Sequence, residues 1–221
     1  MLCWSCQKAA GDGLLCVACN AVQPPDPKTD YFRVLGVPQA FAVDMSDLER
    51  RYKETTKILH PDRFARADPT ARRASLERSI QLNEAWRTLK DPVRRAEYLL
   101  SLHGVEVGER AGGGRPDQSG AQVTVPVPQS LLMEVLDLRE TLAEAQAKKD
   151  SRAIDALLAK VSGRVATVMD EVAKALAASP ADLGAAAARL VMVRYYRRFL
   201  YEARQIADML ALADGKGRNA G

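Results

Sequence analysis

Four cysteines stand at the start of the chain, spaced Cys3-x-x-Cys6 and Cys16-x-x-Cys19 with nine residues between the pairs, and the other 217 of 221 residues contain none. Thiolates in a CxxC turn converge on one point, so two such turns can clamp the two sides of a tetrahedral zinc ion. Gly11 and Gly13 allow the chain to reverse between them. No ligand position is left open, so the expected zinc is structural. Disulfide formation and a redox role for either pair are the competing chemistries, and the absence of an export-type start favours metal. A segment of about 20 residues cannot build a core alone, so metal would be its main source of folding energy.

A second constellation is His60-Pro61-Asp62-Arg63. It ends a stretch in which Leu48, Tyr52, Thr55 and Leu59 recur at helical spacing and make a core face. Arg50, Lys53 and Lys57 fall on the opposite side, either as a plain solvated face or as a docking stripe. Pro61 disfavours helical backbone at His60, so the helix should stop there and project an imidazole and a carboxylate from a rigid turn. Neither His60 nor His103, the two histidines of the chain, has a nucleophile arranged with it locally, and there is no glycine-rich phosphate loop. The chain is therefore expected not to be an enzyme.

The third feature is LLMEVLDLRE, residues 131–140. At about 100° per residue, Leu131, Val135, Leu138 and Leu142 form one compact stripe that suits a bundle core. Leu132, Leu136 and Met133 fall on a second flank, between about 100° and 200° from Leu131. Periodicity leaves open whether that flank is a broad buried face or a surface for a partner.

The elements that must carry these residues are helical. Ala and Leu dominate, aromatics are 5%, and no useful β-type alternation occurs. Helices are expected at 30–35, 46–60, 69–90, 92–103, 129–147, 151–178 and 180–213. Ser46-Asp47-Leu48-Glu49 reads as a capping box. Asp68-Pro69, Asp91-Pro92 and Ser179-Pro180 each set a cap before a first-turn proline. Gly163 weakens the middle of the sixth helix. No internal repeat is evident. The expected organisation is an all-α chain: a cysteine segment over 1–22, a helical domain over 29–104, a Gly-rich linker over 105–128, a three-helix domain over 129–214 and a tail over 215–221.

Residues 31–104 carry 14 basic and 10 acidic groups, against 2 and 3 before them and 16 and 15 after, so the net +4 resides there. That suits an acidic partner for this segment and is weak for nucleic acid. No run of 18 apolar residues and no signal-like start is present, so no membrane association and a cytoplasmic location are expected.

A short helix Asp30–Gly36, a basic amphipathic helix, the His-Pro-Asp turn and the long helix ending QLNEAWRTLKDP together resemble the J-domain of DnaJ-type co-chaperones. RAEYLLSLHG at 95–104, taken with LMEVLDLRE beyond the linker, is similar to the HscB family, co-chaperones of iron–sulfur cluster biogenesis. The resemblance implies an antiparallel J-domain hairpin and a C-terminal antiparallel three-helix bundle. It implies that His60, Pro61, Asp62, Arg63, Arg50, Lys53 and Lys57 dock on a DnaK/HscA-type chaperone and stimulate its ATPase. It implies that Leu132, Met133, Leu136, Asp137, Arg139, Glu140 and Tyr195 bind an IscU-type scaffold protein. Tyr196 and Phe199 are alternatives to Tyr195, and the family pattern has Glu where Asp137 stands. The cysteine segment resembles the zinc-binding extension of some eukaryotic relatives, which would make Cys3, Cys6, Cys16 and Cys19 its ligands. Two other readings remain open: a J-domain protein for a different client, and a zinc-ribbon nucleic-acid binder using Arg194, Arg197 and Arg198. The cysteine segment carries no Arg, which weighs against the second.

Overall fold

A helix ends where its terminal backbone groups find new partners, and the first half of the chain is organised by such ends. In the computed structural model, which describes residues 2–11, 13–105, 107 and 126–218, the first helix is α1 (Tyr31–Leu35). Asp30 caps it, its side chain accepting from Arg33 N–H, and Gly36 closes it at φ 66°. A Cβ at Gly36 would stand 3.0 Å from the Arg51 guanidinium, which donates to the Gly36 carbonyl at 2.7 Å. Helix α2 (Met45–Leu59) follows, then a 3-10 turn (Pro61–Phe64), α3 (Pro69–Lys90) and α4 (Pro92–Leu102).

Helices α2 and α3 run antiparallel. Leu59 meets Ser75 and Ser79 of α3, whereas Tyr52 meets Asn83 and Trp86, so partner numbers rise as position along α2 falls. The Tyr52 and Trp86 rings stack at 4.7 Å, and the Tyr52 hydroxyl donates to Asn83 Oδ1 at 2.9 Å. Leu48, Leu59, Leu82 and Leu89 are buried between the helices, with Phe32 and Leu35 of α1. These six apolar side chains contribute on the order of 1.5–3 kcal/mol each.

The chain divides into two units, Met1–Arg95 and Ala96–Gly221, within α4. In the second unit, α5 (Gln129–Ala147), α6 (Ser151–Ala177) and α7 (Leu183–Arg218) form a three-helix bundle. Arg189 meets Glu171 and Tyr196 meets Arg164, so partner numbers rise on α7 as they fall on α6 and the two helices are antiparallel. Glu134 meets Tyr196 and Arg139 meets Glu202, so α5 and α7 are parallel. Helix α6 runs unbroken through Gly163. The linker expected over 105–128 lies largely outside the described residues, as do 219–221, whereas α7 continues through 215–218, where the sequence predicts a tail after a helix ending at 213.

Two helix starts depart from expectation. Asp44, not Ser46, caps α2, its carboxylate accepting from the N–H groups of Ser46 and Asp47. Both residue types cap well, so local sequence does not choose between them. The last helix begins at Leu183 rather than at Pro180. Ser179-Pro180 is a cis peptide preceding the helix, and Asp182 accepts from Ala185 N–H at 2.8 Å. Asp68 and Asp91 cap α3 and α4 as expected.

Replacing Asp182 by Ala is expected to lower stability by about 1 kcal/mol. Replacing Ser179 by Ala should change it by less than about 0.5 kcal/mol, both read by urea unfolding.

Candidate functional site

The cysteine segment is built from two copies of one turn. Cys3–Gln7 and Cys16–Asn20 each close with an N–H to carbonyl bond, Gln7 N–H to Cys3 at 3.0 Å and Asn20 N–H to Cys16 at 2.9 Å. Gln7 and Asn20 take left-handed backbone, φ 58° and 62°. Each first cysteine's sulfur accepts an N–H two residues on, Ser5 to Cys3 and Ala18 to Cys16, both at 3.4 Å. Bridges Leu2–Ala9 and Leu15–Val22 flank the turns. The matching strings LCWSCQ and LCVACN, 13 residues apart, are an internal repeat, contrary to the expectation of none. It is too short to raise a periodicity signal and lies in the cysteine frame itself.

The two turns face one another. Cys3 Sγ lies 3.6 Å from Cys19 Sγ, Cys6 Sγ lies 3.8 Å from Cys16 Sγ, and all four sulfurs fall within 4.8 Å of each other. Thiolates about 2.3 Å from a tetrahedral ion stand about 3.8 Å apart, so the donor set fits a single metal. A disulfide requires about 2.05 Å, and all four cysteines are free. Burial pushes the Cys3 thiol up, but the N–H groups of Cys6 and Ser5 and the neighbouring thiols outweigh it and draw it down to about 6. Cys6 moves the other way, up to about 11. The Lys8 N–H lowers it, but burial and the three other cysteines together disfavour a second charge.

In the same unit, α2 stops at Leu59 with His60 as its cap residue, φ −54° and ψ 126°. The Leu59 carbonyl accepts from Ser75 and Ser79 hydroxyls at 2.8 and 3.2 Å. Arg63 donates to the Lys57 carbonyl at 3.1 Å, so part of this cation's role is to close α2. Within the turn His60 Nδ1 accepts from Asp62 N–H at 3.4 Å. The Asp62 side chain is 89% exposed, which leaves its carboxylate presented to solvent.

Arg50, Lys53 and Lys57 are exposed along α2, as the helical spacing requires. Two of them are held by neighbours: Arg50 pairs with Asp47 and Glu54, and Lys53 with Glu49 at 2.7 Å. Hydrogen bonds from Arg51 and Arg50 hold the Asp47 carboxyl below its usual range. Exposed pairs of this kind are worth about 0–1 kcal/mol, so an acidic partner can displace them at little cost.

On α5 the buried residues are Leu131, Val135, Leu138, Leu142 and Ala145, which include the whole expected core stripe. Leu132, Met133 and Leu136 are 45%, 53% and 49% exposed. Burial on α5 therefore does not extend to the flank. Leu132, Leu136 and Arg139 join half-buried Tyr195 of α7 around a shallow groove of about 180 Å³, with Val135 and Arg198 also lining it. Arg198 lies over the Tyr195 ring at 5.9 Å, and Arg139 pairs with Glu202 at 3.2 Å. Met133, Asp137 and Glu140 are not in the groove and stand further round α5. Tyr196 and Phe199 are fully buried, and the Tyr196 hydroxyl donates to Glu134 at 2.8 Å. Of the three candidate aromatics, Tyr195 alone reaches the groove. The sequence marks Arg198 only as one of three arginines open to nucleic acid, and its place in the groove follows from its i+3 spacing from Tyr195.

Comparison with known proteins places these parts in a family. Residues 30–98 match the DnaJ domain, and residues 127–204 match the HSCB C-terminal oligomerisation domain. A co-chaperone protein HscB homolog from Ralstonia nicotianae is 38% identical over 133 residues, covering 60% of this chain and 69% of the relative. The iron–sulfur cluster co-chaperone protein HscB of mouse is 34% identical over 158 residues, 70% of this chain. The match spans 62% of the mouse protein's length, somewhat under two thirds. The crystal structure of human co-chaperone protein HscB superposes with TM-score 0.78 at 29% identity, covering 93% of this chain and 98% of that one.

The division of α5 sets a stability contrast. Leu138→Ala is expected to cost about 2–5 kcal/mol. Leu136→Ala, which removes a side chain only about half buried, should cost about 1 kcal/mol or less in the same unfolding assay.

Proposed function

The chain belongs to the HscB family of J-domain co-chaperones, and from that premise we propose that it binds an IscU-type iron–sulfur scaffold and hands it to a DnaK/HscA-type chaperone whose ATPase it stimulates. The observation that carries this reading is the coexistence, in one chain, of solvent-presented His60 and Asp62 side chains at the turn after α2 and an apolar flank left about half exposed on the bundle. The turn suits a chaperone. Asp62 offers a carboxylate for a charge-assisted hydrogen bond, and Arg50, Lys53 and Lys57 offer positive charge to an acidic surface. The flank suits a folded client protein: apolar side chains about half exposed, an aromatic with a guanidinium over it, and a charged rim from Asp137, Arg139 and Glu140.

No step of chemistry falls to the chain's own side chains in this scheme; ATP hydrolysis belongs to the partner. The role of the chain is to bias the partner's conformation through differential binding. In the cysteine segment we assign the tetrathiolate site to structural zinc, held by Cys3, Cys6, Cys16 and Cys19. The donor set leaves no open coordination position, which argues against a catalytic ion. Of the arginines that a nucleic-acid binder would use, Arg194 is already engaged, with Glu97 at 2.7 Å and the Val107 carbonyl at 2.7 Å. No helix among the described residues is long and apolar enough to cross a membrane.

Replacing Asp62 by Asn removes the charge and keeps the shape. It is expected to reduce stimulation of a DnaK-type ATPase at least about tenfold, one charged hydrogen bond being worth about 1.5–3 kcal/mol, while affinity for the scaffold is unchanged. Full stimulation by the Asp62→Asn protein in a steady-state ATPase assay contradicts the reading.

A further inference from the structure

The cysteine segment is tied to α3 by a run of hydrogen bonds that begins on a metal-site sulfur. Gln23 is 4% exposed, and its Nε2 donates to Cys3 Sγ at 3.2 Å and to the Ala21 carbonyl at 2.8 Å. Three consecutive carbonyls then accept from side chains. Val22 accepts from Trp4 Nε1 at 2.7 Å, Gln23 from Arg78 Nε at 2.9 Å, and Pro24 from Arg78 Nη2 at 3.0 Å. Trp4 lies inside the first cysteine turn, and Arg78 lies on α3. The strand of joint between them is therefore held from both sides.

Arg78 is only 8% exposed. A guanidinium in that position is tolerated while its donors are met, and an unpaired one is strongly destabilising. Its other side-chain partners are a long contact, Nη1 to Gln81 Oε1 at 3.5 Å, and the nearby Asp26 carboxylate, so the Gln23 and Pro24 carbonyls supply its close hydrogen bonds. Those carbonyls stay in place only if the Gln23 backbone does. That backbone is fixed by its own N–H on the Leu14 carbonyl at 2.9 Å and by the side-chain bond to Cys3. A donor to a coordinating sulfur also orients the ligand and moderates its charge, as outer hydrogen bonds do at metal sites generally.

We propose that Gln23 is a positioning residue for the metal centre, and that with Arg78 it couples occupancy of the four-sulfur site to the order of α3. The proposal rests on the tetrathiolate reading above. Metal binding holds Cys3, Cys3 holds the Gln23 side chain, and the Gln23 and Pro24 carbonyls hold Arg78. Release of the metal frees the first of these contacts and loosens the rest, within a unit that also contains the His60-Pro61-Asp62 turn and the Ser75 and Ser79 hydroxyls that close α2.

The test uses the full chain, with Co²⁺ as an optical probe of the site and amide hydrogen exchange over α3 residues 71–85 as a probe of coupling. The wild-type chain is expected to take up one Co²⁺ with tetrahedral thiolate absorption, and its α3 amides to exchange at least about fivefold more slowly with metal than without. Gln23→Leu is expected to weaken Co²⁺ binding by about 10–100-fold. Arg78→Met, which keeps the apolar stem, is expected to bind metal but to show the same α3 exchange with and without it. Wild-type α3 exchange that ignores metal overturns the coupling, as does an Arg78→Met chain that keeps the wild-type dependence. Unchanged Co²⁺ affinity in Gln23→Leu overturns its positioning role. Should Arg78→Met lose helix content even with metal bound, Gln23→Leu, which leaves α3 unaltered, decides on affinity and on its own exchange difference. A wild-type chain that takes up no Co²⁺ defeats the tetrathiolate reading itself, a result distinct from metal uptake without coupling.

Discussion

A helix that must bury one face has its opposite face assigned by the same 3.6-residue repeat, and the surfaces proposed to meet partners are largely such left-over faces. On α2, burial of Leu48 and Leu59 turns Arg50, Lys53 and Lys57 outward. On α5, burial of Leu131, Val135, Leu138 and Leu142 turns Leu132, Leu136 and Met133 outward. Neither outward face can be moved without moving the core that fixes it. The cost of rotating α5 to cover its flank is several core leucines at about 1.5–3 kcal/mol each. Half-exposed flank side chains would recover less than that. The exposed apolar residues are thus a stable feature of the folded bundle, and a partner can find them without prior unfolding.

Two irregular stretches of the first unit use a different device, in which backbone groups rather than faces are decisive. Pro61 stops α2, and the carbonyls left over at its end are taken by Ser75, Ser79 and Arg63. The turn is therefore supported by both helices of the hairpin. At the cysteine segment the carbonyls of Val22, Gln23 and Pro24 are taken by Trp4 and Arg78. In both places the carbonyls of a short irregular stretch are taken by side chains, some from the stretch itself and the others from α3.

Much of this was legible in the sequence. Helical angles divided LLMEVLDLRE into the stripe that is buried and the flank that is exposed, because a regular helix converts position into direction without further information. The helix stop at His60 followed from the steric demand of Pro61 on the residue before it. The CxxC frame predicted a four-sulfur site because spacing alone makes the thiols converge. What was not legible depends on acceptors that carry no side-chain signature. Arg78 is one arginine among many on a polar-looking helix, and its partners are backbone carbonyls 54 and 55 residues away. The cap at Asp44 rather than Ser46, and at Asp182 rather than Ser179, turns on backbone dihedrals that competing cap residues leave undetermined. The choice among Tyr195, Tyr196 and Phe199 likewise needed the rotation of α7 against α5.

The central claim is that the flank of α5 is a binding surface for a scaffold protein rather than an accident of packing. Calorimetric titration of an IscU-type scaffold into the chain, and into a variant carrying Leu132→Ala, Met133→Ala and Leu136→Ala, tests it most directly. Three side chains that are each about half exposed stand to contribute about 1 kcal/mol apiece on full burial, so the variant should bind about 100-fold more weakly. Its thermal unfolding should stay close to that of the parent. Undiminished affinity in a folded variant would contradict the account, and so would loss of the bundle's fold, since that outcome means the flank belongs to the core.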